Sequence, residues 1–155
     1  MANQDAAFGF RAVQPTGSDS PRENVNAPQG YSIASGYASE INIGDPVAST
    51  GTADSLGRPG IELKNTPGLI AGVFAGVQYK AEDGDVKFTT KWIAGTVATE
   101  IVVFVHDDPQ QIFVIQADED IVADDIRNKA DFVYAAGVNG VSRVELDSST
   151  VGTGD

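Results

Sequence analysis

Short apolar runs cut by Gly, Pro, Asp and Asn dominate the chain from Tyr31 to Val97. They are Tyr31–Ser35, Glu40–Ile43, Val47–Ser49, Ile61–Leu63, Leu69–Tyr79, Val86–Trp92 and Thr96–Val97. Each is strand-length, and each ends in residues that favour turns. The block therefore predicts the strands of a small barrel or sandwich. Gly51–Gly60 reads as a polar loop around Gly57-Arg58-Pro59-Gly60, and Glu82-Asp83-Gly84-Asp85 as a hairpin turn. Gly72 and Gly76 interrupt the longest apolar run, which predicts bulges or a close approach of backbones where a side chain would not fit.

Further along, Glu100–Val105 and Gln111–Ile115 are β-branched and aromatic, and His106-Asp107-Asp108-Pro109-Gln110 lies between them. This predicts a hairpin with both strands buried on at least one face. The stripe Val122, Ile126, Ala130, Val133 has helical spacing, with Asp118 or Asp120 available as a cap. It predicts one short helix near 120–130, followed by strands at Phe132–Tyr134 and Ser142–Leu146. Residues 1–30 show no sustained period and carry Pro15, Pro21 and Pro28, so they read as an extended arm. The expected organisation is an arm over 1–30, a β-barrel or sandwich core over 31–99, a second β unit over 100–149 and a tail over 150–155. The fold class is all-β, mostly strand with one short helix.

Within the arm, Phe8, Phe10, Arg11 and Val13 form an apolar cluster in an otherwise polar segment. Exposed aromatic side chains lower solubility, so the cluster predicts a contact. Two readings stand: it packs back on its own domain, or it docks on a neighbouring subunit.

Composition narrows the function more than the fold. A length of 155 residues with 41% hydrophobic side chains suits one domain, or one domain with a smaller annex. Absence of cysteine excludes disulfides, Cys-ligated zinc and thiol catalysis. Ten basic against 22 acidic residues leave a net charge of −12, which argues against nucleic acid as a partner. No apolar run is long enough to span a bilayer, and the N-terminus does not read as a secretory signal.

Candidate chemistry is sparse. In His106-Asp107-Asp108, neighbours in an extended chain point to opposite faces, and Asp-Asp-Pro is ordinary turn chemistry. The acidic stretch Asp118-Glu119-Asp120 with Asp124-Asp125 reads first as a capped, solvated helix face, with a weak divalent site or a surface for a basic partner as the alternatives. The glycines are not spaced as a phosphate-binding loop. The expectation is no enzyme, no cofactor and no metal site. Trp92, Tyr31, Tyr37 and Tyr79 would serve the alternative of a carbohydrate-binding module, if they form an exposed platform.

Three phrases resemble the capsid decoration (cement) proteins of tailed bacteriophages and cyanophages. They are the opening Met1-Ala2-Asn3-Gln4-Asp5-Ala6 with Gly9-Phe10-Arg11; Ile43-Gly44-Asp45-Pro46-Val47 with Ile70-Ala71-Gly72-Val73-Phe74; and Asp107-Asp108-Pro109 with Phe113-Val114-Ile115-Gln116-Ala117-Asp118 and Glu145-Leu146-Asp147-Ser148-Ser149. The resemblance implies a structural virion protein on the outer capsid surface. Its partners would be the major capsid protein and further copies of itself, as a homotrimer. The family pattern continues past Ser149 into a further strand, which is expected here to be missing or supplied by a neighbour.

Overall fold

The longest apolar run becomes the central strand. The computed structural model describes residues 6–13 and 29–154. In it Gly72–Ala81 forms a ten-residue strand that buries Val73, Phe74, Val77 and Tyr79. The strands in chain order are β1 (Arg11–Val13), β2 (Gln29–Tyr31), β3 (Ile41–Asn42), β4 (Pro46–Ala53), β5 (Pro59–Leu63), β6 (Gly72–Ala81), β7 (Val86–Thr89), β8 (Lys91–Trp92), β9 (Ala98–His106), β10 (Ile112–Val114), β11 (Phe132–Val133) and β12 (Glu145–Leu146). The protein is mostly β and has no helix of seven or more residues among those described.

On one edge β6 pairs with β9 from Val73↔His106 to Ala81↔Ala98. On the other it pairs first with β4 and then with β7. β4 continues to β5, and β9 to β2. The ring β2-β9-β6-β4-β5 closes at Ser32, which bridges Gly60 in the parallel sense. There the Ser32 amide donates to the Pro59 carbonyl at 2.8 Å, and the Ile61 amide to the Ser32 carbonyl at 2.9 Å. Closure removes the exposed edges that an open sheet would leave.

The barrel interior is one cluster that includes Val47, Ile61, Phe74, Val77, Trp92, Val103 and Val105. Each large apolar side chain removed from water contributes roughly 1.5–3 kcal/mol. The Trp92 indole N–H donates to the Tyr37 carbonyl at 3.2 Å, and the Tyr79 ring meets it edge-on at 5.8 Å. Gly72 and Gly76 do what their positions in the run imply. A Cβ on Gly72 would strike the His106 carbonyl and Val105. Gly76, at φ +150°, follows the bulge that leaves Ala75 unmatched between Phe74↔Val105 and Gly76↔Phe104.

Residues 107–154 form a lobe with little regular structure. β10 pairs with β1, and β11 with β12. The rest is tied by single backbone bonds such as Leu146 N–H to Gln116 O at 2.8 Å and Asp147 N–H to Asp131 O at 3.0 Å. Ser142 N–H to Ile43 O, at 3.2 Å, joins the lobe to the barrel wall.

Four expectations need correction. The hairpin of 100–105 with 111–115 does not form: β9 is claimed on both edges by β6 and β2, so β10 pairs with β1 instead. The helix near 120–130 is a single 3₁₀ turn, Ala123–Asp125. Its apolar stripe finds nothing to pack on, since Val122 and Ile126 are 62% and 71% exposed, and Arg127 turns the chain left-handed at φ 73°. An isolated turn does not outweigh the cost of helix nucleation. The Gly51–Gly60 loop is shorter than its polarity suggests, because β4 runs on to Ala53 and the turn is Asp54–Arg58, closed by the Asp54 carboxylate accepting from the Arg58 amide at 2.8 Å. The arm is not wholly irregular, since Arg11–Val13 and Gln29–Tyr31 are strands; residues 14–28 lie outside those described.

Candidate functional site

Two glycines let the N-terminal segment cross the barrel wall. Gly9 is buried at φ +70°, and a Cβ there would collide with Ser142 and with the Gly44 carbonyl. Gly44, at φ +91°, faces the carbonyls of Phe8 and Phe10. Only residues without a Cβ allow two backbones this close in that conformation. The Phe10 amide donates to the Gly44 carbonyl at 3.0 Å and fixes the crossing.

From this crossing the side chains fan out in two directions. Phe10 sits edge-on to Phe113 at 5.9 Å and to Phe132 at 6.2 Å, and so forms the centre of the lobe's small core. The Arg11 guanidinium carbon lies 4.9 Å above the centre of the Phe8 ring. Between the segment and the barrel wall is a groove of about 350 Å³, lined by Phe8, Phe10, Arg11 and Ala12 on one side. Ile43, Val73, Phe74, Ala75, His106 and Val141 line the other.

Beneath the crossing is a buried polar cluster that the sequence reading missed. Asp45, Asn42 and Ser142 are at most 1% exposed. The Asn42 amide donates to Asp45 Oδ2 at 2.7 Å, and the Val144 amide to Ser142 Oγ at 3.2 Å. Burial pushes the Asp45 carboxyl above the usual aspartate range, against hydrogen bonds from Ser142 and Asn42 that favour the carboxylate. Asp45 Oδ1 and Asn42 Oδ1 are enclosed without a partner. Burial, together with the negative charges of Asp45 and Glu40, also raises the Tyr134 hydroxyl. The available signal was Asp45 itself, a carboxylate in the apolar context Ile41–Val47, which reads first as turn chemistry before Pro46.

Of the four predicted contact residues, Phe8, Phe10 and Arg11 border the groove. Val13 pairs with Ile112 on the ribbon face that also carries Arg11 and Val114. The cluster thus packs on its own chain and still presents Arg11, Ile112 and Val114 to solvent. His106, Asp107 and Asp108 diverge. Asp107 accepts the Tyr31 hydroxyl at 2.7 Å, and Asp108 accepts the Gln110 amide at 2.7 Å, which closes the turn. Burial and then Asp107 push the Tyr31 hydroxyl to about 12. Asp118 accepts from the Ser148 amide at 2.9 Å, which holds its carboxyl below the usual range and clamps two loops rather than capping a helix. Among the described residues no group of three or more His, Cys, Asp or Glu is placed to hold a metal ion.

The aromatic residues considered for a sugar platform belong to the barrel. Trp92 and Tyr79 are buried, and Tyr31 and Tyr37 pack against the same core. No family model, curated protein or solved structure matches the chain.

Proposed function

We propose that this chain is a structural virion protein that binds the outer surface of a phage capsid and cements neighbouring capsid subunits. The reading starts from the sequence resemblance and is supported by one observation. The 107–154 lobe exposes Ile112, Val114, Ile121, Val122 and Ile126 by 47% to 71%, while Phe132 and Val144 are its buried apolar side chains among the described residues. The barrel exposes apolar side chains too, Leu69 and Phe88 among them, but beside a large buried core; the lobe has almost no core of its own, which supports a partner covering it. The barrel supplies a rigid body, and the lobe supplies the adhesive face.

Binding of this kind stabilises only the assembled shell, because the contact exists only where capsid subunits sit side by side. Several copies that each touch two subunits add avidity. Self-association as a trimer on the lattice is part of the proposal. The two-stranded ribbon β1–β10 is too small to be stable alone and gains from a third strand offered by a neighbour.

The test is co-sedimentation of the purified chain with undecorated, expanded phage heads, followed by heating with and without it. Saturable attachment and a raised temperature of shell disruption are expected. Failure to attach to heads at any salt concentration would remove the reading.

A further inference from the structure

We propose that the groove between the N-terminal segment and the barrel wall binds a small amphipathic carboxylate, its ring or branched chain against Phe10, Ile43 and Val141 and its charge on Arg11. Four observations point there. First, the volume of about 350 Å³ lies at the small end of ligand pockets, roughly 300–1,000 Å³, and suits a single ring or short branched chain. Second, the walls are mostly apolar and are built on paired strands, so they are held open rather than formed on demand.

Third, the charge at the rim is unusual for this protein. Acidic residues outnumber basic ones by 22 to 10, yet among the described residues Arg11 forms no ion pair and instead lies over the Phe8 ring. A guanidinium fixed against an aromatic face presents its planar N–H fork to a carboxylate with little further ordering. Fourth, the His106 ring lines the same groove and adds a polar edge to an otherwise apolar wall. Ala75, left unmatched by the β6 bulge, lies on the same wall.

The proposal is tested on the ¹⁵N-labelled full chain by titration with phenylpropionate and, separately, with its neutral counterpart phenylpropanol. The acid is expected to shift the backbone amides of Phe10, Gly44 and Ala75 and to bind roughly tenfold more tightly than the alcohol, the scale of one charge-assisted hydrogen bond. Arg11→Gln should bring the acid down to the affinity of the alcohol. Val141→Trp should fill the groove and remove binding of both. Equal affinity of acid and alcohol for the unaltered protein overturns the proposal, as does the absence of saturable shifts by about 10 mM, weaker than millimolar binding. Shifts that map away from the groove, or that survive Val141→Trp, overturn it equally. The acid–alcohol comparison needs no variant, so it decides the matter even if Arg11→Gln fails to fold.

Discussion

The backbone of Gly9 lies so close against the side chain of Ser142 that no Cβ fits between them, and Ser142 in turn hydrogen-bonds the buried carboxyl of Asp45. One contact therefore connects the N-terminal segment, the outer lobe and the barrel wall. Gly9→Ala should destabilise the protein by about 2 kcal/mol or more, since it adds a left-handed strain of about 1–2 kcal/mol to a steric clash. Urea denaturation measures this. An unchanged midpoint would mean that the segment does not cross the wall at Gly9.

Asp45 makes stability depend on pH in the direction opposite to most carboxylates. Its folded pKa is raised above the ordinary 3.8, so the neutral acid is the form the fold prefers. The stabilisation is complete below about 3.8, the unfolded value, and is lost as pH rises through the higher folded value. Asp54, Asp83 and Asp118 run the other way, with carboxyls held low and stability lost as pH falls through them. Asp45→Asn cannot ionise and should leave the loss at low pH in place while removing the loss at higher pH. Unfolding curves of both proteins across that range check it, and parallel profiles would show that Asp45 does not titrate on its own.

The barrel was legible in the sequence because its strands carry their own boundaries. Leu69–Tyr79 is largely apolar between Gly68 and Lys80, Val86–Trp92 mixes apolar and polar residues after the Gly84-Asp85 turn, and they reappear as β6, β7 and β8. Gly72 and Gly76 also announced the close approach and the bulge. Partner choice was not legible. Val103 and Phe113 belong to runs of equal quality, and nothing local shows that β9 is already saturated by β6 and β2. Helical spacing at Val122 and Ile126 failed for a related reason: periodicity gains stability only if a surface exists to receive the stripe. A carboxylate before proline, as at Asp45, fits a turn equally well, and burial is a tertiary fact.

Phe10 is the main apolar link between the N-terminal segment and the lobe, wedged between Phe113 and Phe132. Phe10→Ala should cost about 3 kcal/mol, the low end for a truncated core phenylalanine, because the ring is only half-buried. The loss should fall unevenly. Hydrogen exchange should quicken first at Val114, Phe132 and Leu146, while β6 and β9 keep their protection. Uniform acceleration across the barrel would show that lobe and barrel open together.

Val103 is fully buried between β6 and β2 in the barrel wall, so Val103→Asp places an unpaired carboxylate in an apolar core. A loss on the order of 4–5 kcal/mol or more is expected, enough to abolish soluble folding of a typical domain. Ile115 lies half-buried in the lobe, and Ile115→Asp should be tolerated far better. Expression of both variants followed by melting separates the outcomes. Cooperative melting of soluble Val103→Asp would show the barrel interior to be placed wrongly.

The exposed lobe gives the sharpest test of capsid attachment, because its side chains can be altered without touching the core. Val122 and Ile126 flank the 3₁₀ turn and are 62% and 71% exposed. Replacing both by Asp should change folding stability by no more than about 0.5 kcal/mol, as for surface sites generally. The same pair should weaken attachment to undecorated heads at least tenfold, about 1.4 kcal/mol, if an apolar partner surface covers the lobe. Leu56→Asp is the matched control: Leu56 is 76% exposed, yet it belongs to the barrel turn Asp54–Arg58 and should leave attachment unchanged. Sedimentation with heads over a salt series reads all three proteins. Added salt should strengthen the attachment of unaltered protein, since neighbouring copies that each carry −12 repel one another less when screened. Loss of attachment in Leu56→Asp with retention in the double variant would move the adhesive face from the lobe to the barrel.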